Sequence, residues 1–151
     1  MALEKQITSD LKEAMRAKDE LRTSCLRMLK TAIKNKQVEK GDNLSDQEIH
    51  SVISSLVKRG KQSVEEFRKG GREDLANKEE RELKILYGYL PEQLDPAEIE
   101  KTLREIIAEL SAAGTKDLGR VMKVAMTRMA GKVQGKEVNQ IAKKLLEQGP
   151  A

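Results

Sequence analysis

The sequence predicts an all-α protein, on three observations. Aromatic residues make up only 2% of the chain and charged residues 36%. A core must therefore come from Leu, Ile, Val, Met and Ala, which suits helix-on-helix packing better than a sheet. Apolar residues also recur at spacings of three and four along nearly the whole of the 151 residues. Where that spacing lapses, capping and turn residues stand in its place: Ser45-Asp-Gln-Glu48, Gly70-Gly71 and Asp95-Pro96.

Taken in order, Leu3, Ile7, Leu11, Ala14 and Met15 predict a first helix over roughly the first 17 residues, bent or broken at Lys18-Asp19-Glu20. Leu21, Cys25, Met28, Leu29, Ala32 and Ile33 form the next stripe, with Arg27, Lys30 and Lys34 together on another face. A polar turn at Lys40-Gly-Asp-Asn43 precedes the Ser45/Glu48 capping box and the clearest helix, whose apolar side runs from Ile49 through Gly60 to Phe67. Gly60 costs a helix about 1 kcal/mol relative to alanine, so its place on the buried side predicts close approach of a neighbouring helix. Lys58, Lys61, Arg68 and Lys69 lie on the opposite side.

From Arg72 the pattern resumes with Leu75, Leu83, Leu86 and Leu90, and Glu79 and Glu82 fall within the same arc. Carboxylates in a partly buried stripe need cationic partners. Arg22 and Arg27 are the expected ones, giving a structural ion-pair network of Arg22, Arg27, Glu79 and Glu82. A general acid/base pair is the alternative, with no nucleophile or metal ligand nearby to support it.

The stretch Leu86-Tyr-Gly-Tyr-Leu-Pro-Glu-Gln-Leu-Asp95 ends one helical body and opens another. Pro91 turns Leu90 away from the α region, Asp95 reads as an N-cap, and two of the three aromatic residues, Tyr87 and Tyr89, sit here. The predicted domains are residues 1–90 and 91–151. Beyond the junction, Ile99, Leu103, Ile106, Ile107 and Leu110 predict a helix ending near Ala113-Gly114. Asp117 is expected to cap the next, with Leu118, Val121, Met122, Ala125 and Met129 inward and Lys116, Arg120 and Lys123 outward. After Gly131-Lys-Val-Gln-Gly-Lys136, a last helix carries Val138, Ile141, Ala142, Leu145 and Leu146.

Composition excludes several functions. The net charge of +4 divides evenly, 19 basic against 16 acidic residues before Pro91 and 10 against 9 after it, so affinity for nucleic acid must come from local stripes. A single cysteine, a charged start (Glu4, Lys5, Asp10) and the lack of a run of about 20 apolar residues predict a cytoplasmic protein that does not enter a membrane. No cofactor or metal is expected. His50 is the only histidine, so a Cys/His zinc cluster is ruled out by count. Gly131 to Lys136 fails as a P-loop: its glycines are one residue too close, Glu137 stands where Ser or Thr should hold magnesium, and no strand precedes it. Cys25, inside an apolar stripe, is expected to be a packed thiol rather than a nucleophile.

Several segments together resemble the GatB/YqeY-like family: Arg22-Thr-Ser-Cys-Leu-Arg-Met-Leu-Lys30, Lys58-Arg-Gly-Lys-Gln-Ser-Val-Glu-Glu-Phe67, Gly71-Arg-Glu-Asp-Leu75, Glu79 and Glu82, Tyr89-Leu-Pro-Glu-Gln-Leu94, and Asp117-Leu-Gly-Arg-Val-Met122. Lys123 departs from the glycine expected after Val-Met, and Gln134 from the more acidic or basic residue usual in the final turn. The resemblance implies an N-terminal bundle of about four helices and a C-terminal three-helix domain, similar to the tail of the B subunit of the tRNA-dependent amidotransferase. That tail helps to hold tRNA while other domains carry out glutamine hydrolysis and amide transfer. A carbon–nitrogen ligase label with glutamine as amide donor would follow from kinship alone, since no residues here assemble for that chemistry. The expected partner is tRNA or another structured RNA, held through phosphates by Lys116, Arg120, Lys123, Lys132 and Lys136. A protein-interaction adaptor docking a partner on a helix groove is the alternative.

Overall fold

The computed structural model describes residues 2–149, which form seven α-helices and one short 3-10 turn, with no strand among them. The helices are α1 (Ala2–Arg16), α2 (Glu20–Lys40), α3 (Asp46–Lys69), α4 (Glu73–Tyr87), α5 (Pro96–Leu110), α6 (Leu118–Arg128) and α7 (Gly135–Gln148). They fall into two compact units, Met1–Pro91 and Glu92–Ala151, with separate hydrophobic cores.

Local chemistry accounts for the helix ends of the first unit. Lys18 takes a left-handed φ of 58° and Asp19 caps α2, accepting from the Arg22 amide at 3.1 Å. Gly41, at φ 80°, ends α2 with its amide donating to the Gln37 carbonyl. The capping box is complete. Ser45 Oγ accepts from the Glu48 amide, Glu48 Oε1 accepts from the Ser45 amide, and Lys40 adds an ion pair at 2.7 Å. These bonds hold the Glu48 carboxyl down at about 2, the Lys40 ammonium being the largest cause.

The core of this unit joins Ile7, Cys25, Leu26, Leu29, Ile33, Ile49, Ile53, Val57 and Leu86, each 2% exposed or less. The most extensive helix pair is α3 on α4. Gly60 explains how closely they meet: a Cβ at this position would lie 2.5 Å from Leu83 Cδ2 and 3.3 Å from Glu79 Oε1.

A buried carboxylate ties the end of the unit to its start. Asp10 is 8% exposed; it accepts from the Tyr89 hydroxyl at 2.5 Å and from Gln6 Nε2 at 2.9 Å, with Arg22 at 3.9 Å. Burial, and then the Asp10 carboxylate, push the Tyr89 phenol up to about 12.

In the second unit, Asp95 caps α5 by accepting from the Glu98 amide at 2.9 Å, with Pro96 in the first turn. Ser111, at φ 50°, ends α5. Asp117 does not cap α6 as the sequence suggests. It closes the 3-10 turn Thr115–Asp117, and its carboxylate accepts from the Ala113 amide at 2.8 Å. With Gly114 at φ 71° the chain doubles back there, which brings that amide to the carboxylate before the helix amides can reach it.

Candidate nucleic-acid interface

Helix α6 is two-faced because its sequence is. Val121 and Ala125 are fully buried and Met129 is 2% exposed, so the opposite side must face solvent. That side carries Arg120 and Lys123, with Lys116 in the preceding 3-10 turn, all exposed. The chain then turns at Gly131, whose φ of 76° favours glycine. Lys132 follows, exposed, between the turn and the buried Val133 and Gln134. Lys136 is exposed in the first turn of α7.

The loop carrying Lys132 is pinned by its backbone. The Lys132 amide donates to the Met129 carbonyl at 3.0 Å, the Lys132 carbonyl accepts from the Leu94 amide at 2.9 Å, and the Gly131 carbonyl accepts from Gln93 Nε2 at 2.7 Å. Gln134, at the N-cap position of α7, makes no side-chain capping bond, and its buried Nε2 has no partner among the described residues.

Ion pairing sorts the cations of this unit. Glu109 grips Arg128 in a two-pronged bond of 2.7 and 3.2 Å. That bond drives the Glu109 carboxyl below its ordinary range. Arg120 is half-engaged, its Nη2 donating to the Leu110 carbonyl at 3.2 Å and its Nε 3.5 Å from Asp117. Lys116, Lys123, Lys132 and Lys136 make no ion pair among the described residues. Residues 118–136 contain Arg120, Lys123, Arg128, Lys132 and Lys136 and no carboxylate. This acid-free run is a sequence signal stronger than helix-face projection alone.

The predicted ion-pair network of the first unit takes a different shape. Arg22 turns to Asp10, and Arg27 is exposed with no ion pair among the described residues. Neither forms an ion pair with Glu79 or Glu82 among the described residues. Those two carboxylates lie half-buried beside each other; burial, and then the neighbouring Glu79, raise the Glu82 carboxyl above its usual range. Cys25, 1% exposed, donates its thiol to the Glu82 carbonyl at 3.7 Å, and burial followed by the two carboxylates push it up to about 12. A thiol held protonated in this way is no nucleophile. Two of the four cations of the α3 stripe are engaged: Arg68 pairs with Glu80 at 2.7 Å and Glu73 at 3.2 Å, and Lys61 sits 5.7 Å from the centre of the Tyr87 ring.

The Glu82 environment sets a pH dependence. A carboxyl whose folded pKa is raised contributes stability that is full below its unfolded pKa and is lost as pH rises through the folded one. Glu82→Gln is therefore expected to unfold at a higher temperature than the parent at pH 7, with the gap closing as pH falls below the ordinary glutamate range. Thermal melts followed by circular dichroism at several pH values measure it; an unchanged or lower midpoint at pH 7 would contradict it.

The fold and its cationic C-terminal face define a two-unit, all-helical protein whose described residues gather no three metal-ligating side chains. Residues 4–146 match the Yqey-like protein family, and the chain belongs to that family. It is 38% identical over 107 residues, 69% of its length, to Altered inheritance of mitochondria protein 41, mitochondrial, of Lachancea thermotolerans, covering 57% of that protein. Proteins of the same name from Pyrenophora tritici-repentis and Saccharomyces cerevisiae are each 30% identical, over 94% and 87% of this chain and 78% and 70% of theirs. The chain thus spans little more than half of the first of these relatives. Their names overturn the cytoplasmic placement. A lone cysteine fits a reducing setting, but it does not distinguish one reducing aqueous compartment from another.

Proposed function

We propose that the second unit binds structured RNA, tRNA foremost, through its phosphate backbone, using Lys116, Arg120, Lys123, Lys132 and Lys136. The observation that carries this reading is the acid-free run 118–136, in which Lys123, Lys132 and Lys136 stand exposed without ion pairs among the described residues, on an internally bonded support, with the exposed Lys116 just before it. Phosphate contacts of this kind position a protein on nucleic acid without reading its sequence. The composition favours the same mode: residues 92–151 contain no Phe, Tyr or Trp on which to stack a base. The resemblance of the sequence to the tail of the tRNA-dependent amidotransferase B subunit adds support from the sequence side.

Fluorescence anisotropy with unfractionated deacylated tRNA tests the proposal. Log K is expected to fall with log salt by about 0.7 to 0.9 per phosphate contact. Changing Lys116, Lys123, Lys132 and Lys136 to glutamine should weaken binding at least ~10-fold at moderate salt and flatten that slope by roughly three. Binding that is absent at low salt, or a slope that the four substitutions leave unchanged, would overturn it.

A further inference from the structure

Helix α2 carries a second acid-free run. Residues 21–38 hold Arg22, Arg27, Lys30, Lys34 and Lys36 and no Asp or Glu. Ion pairing removes two of the five from contention: Arg22 lies 3.9 Å from Asp10, and Lys36 lies 3.5 Å from Glu39. The three left, Arg27, Lys30 and Lys34, have no ion pair among the described residues. Projected at 100° per residue they share one face, turned away from the buried Cys25, Leu26, Leu29 and Ile33. Arg27 and Lys34 are exposed and Lys30 half-buried, and steps of three and four residues spread them along about 10 Å of helix.

Hydroxyls gather at the N-terminal end of this row. An open cleft of about 510 Å³ is lined by Met15, Lys18, Glu20, Thr23, Ser24 and Arg27. Cations interleaved with Ser and Thr hydroxyls are the side-chain set that contacts phosphate and sugar. Glu20 on the rim is the one opposing charge in the cleft. The contrast with α3 is informative, because there Arg68 is held by two carboxylates and Lys61 lies over an aromatic ring. Of the two basic stripes in this unit, only that on α2 has no ion pair or ring contact for any of its three members among the described residues.

We infer that the outer face of α2, through Arg27, Lys30 and Lys34, is a second contact surface for the phosphate backbone of the RNA proposed above. This rests on the reading of the second unit as RNA-binding and extends it to the first. Because one polypeptide carries both surfaces, an RNA that engages both is held more tightly than either alone would hold it, with no new contact needed.

The full chain and unfractionated deacylated tRNA again serve as the test, in three arms. Arg27→Gln, Lys30→Gln and Lys34→Gln together are expected to weaken binding on the order of 10-fold and to lower the log–log salt slope by about two to three. A charge-matched control, Lys12→Gln, Lys69→Gln and Lys84→Gln, is expected to change neither by more than about 2-fold. The four lysine changes of the second unit form the third arm. Circular dichroism establishes that each variant is folded, as expected for positions outside the buried core.

If the α2 variant binds like the parent while the second-unit variant is weakened, the RNA-binding reading stands and the α2 inference is overturned. The face would then serve another partner, an acidic protein surface first among them. Equal weakening by the control would reduce the effect to net charge and overturn the inference as well. A parent chain that binds no tRNA would remove both.

Discussion

Gly60→Leu is expected to lower the unfolding free energy of the first unit by about 3 kcal/mol or more, the upper range for overpacking a core. The cause is the closeness of α3 and α4. Even a single added carbon at Gly60 would come within 2.5 Å of Leu83 Cδ2, and Leu83, 8% exposed, has little room to turn aside. Glu79 Oε1, 3.3 Å from the same point, closes off another direction. Gly60→Ala tests the balance more finely. Alanine gains about 1 kcal/mol of helix propensity, which offsets part of the clash, so its net effect should be much smaller than that of leucine. Urea unfolding followed by circular dichroism measures both. A leucine variant as stable as the parent would mean that the two helices stand farther apart in solution.

The second large effect is expected at Asp10. Asp10→Ala removes the acceptor shared by Tyr89, Gln6 and Arg22 and should cost about 2–3 kcal/mol, the range for hydrogen bonds to a charged group and the unmet donors left behind. Tyr89→Phe should cost less, about 1–2 kcal/mol, because the carboxylate keeps its other partners. The two losses should fall short of additivity by about 1 kcal/mol in a double-mutant cycle; full additivity would show that the pair does not interact. The phenol gives an independent check. Its folded pKa lies near 12 against an ordinary 10.0. Its contribution is therefore full below pH 10 and declines as pH rises toward 12, a decline that Tyr89→Phe should abolish.

Features governed by local chemistry were legible in the sequence. Ser45 and Glu48 form their capping box because both partners lie within one turn, and Gly60 sits where a glycine in an apolar stripe implies a neighbouring backbone or side chain. The surroundings of Glu79 and Glu82 were not legible: Arg22 was expected beside them and stands at Asp10 instead. Periodicity tells which face a residue occupies, but not what stands opposite it at the same height on another helix. Asp10 was overlooked for a related reason, although at positions 7, 10 and 14 a carboxylate between Ile7 and Ala14 lies on the inward arc and was open to detection.

The basic stripes show a further limit. From sequence, Arg68, Arg128 and Lys123 look alike as cations on a helix face. Folding gives Arg68 to Glu73 and Glu80 and Arg128 to Glu109, while Lys123 keeps no such partner. Which cations remain available to a ligand is decided by residues 5 to 19 positions away, too far for helical spacing to reveal.

The bonds from Gln93 and Leu94 to the carbonyls of Gly131 and Lys132 bear on how the second unit should be isolated. A fragment cut to begin at the cap of α5, Asp95, looks complete by helix boundaries, yet it would leave both carbonyls without their donors and release the loop that presents Lys132. A fragment beginning at Glu92 keeps those stays in place. Three residues that belong to no helix thus decide whether an excised C-terminal piece carries a firm lysine loop or a slack one.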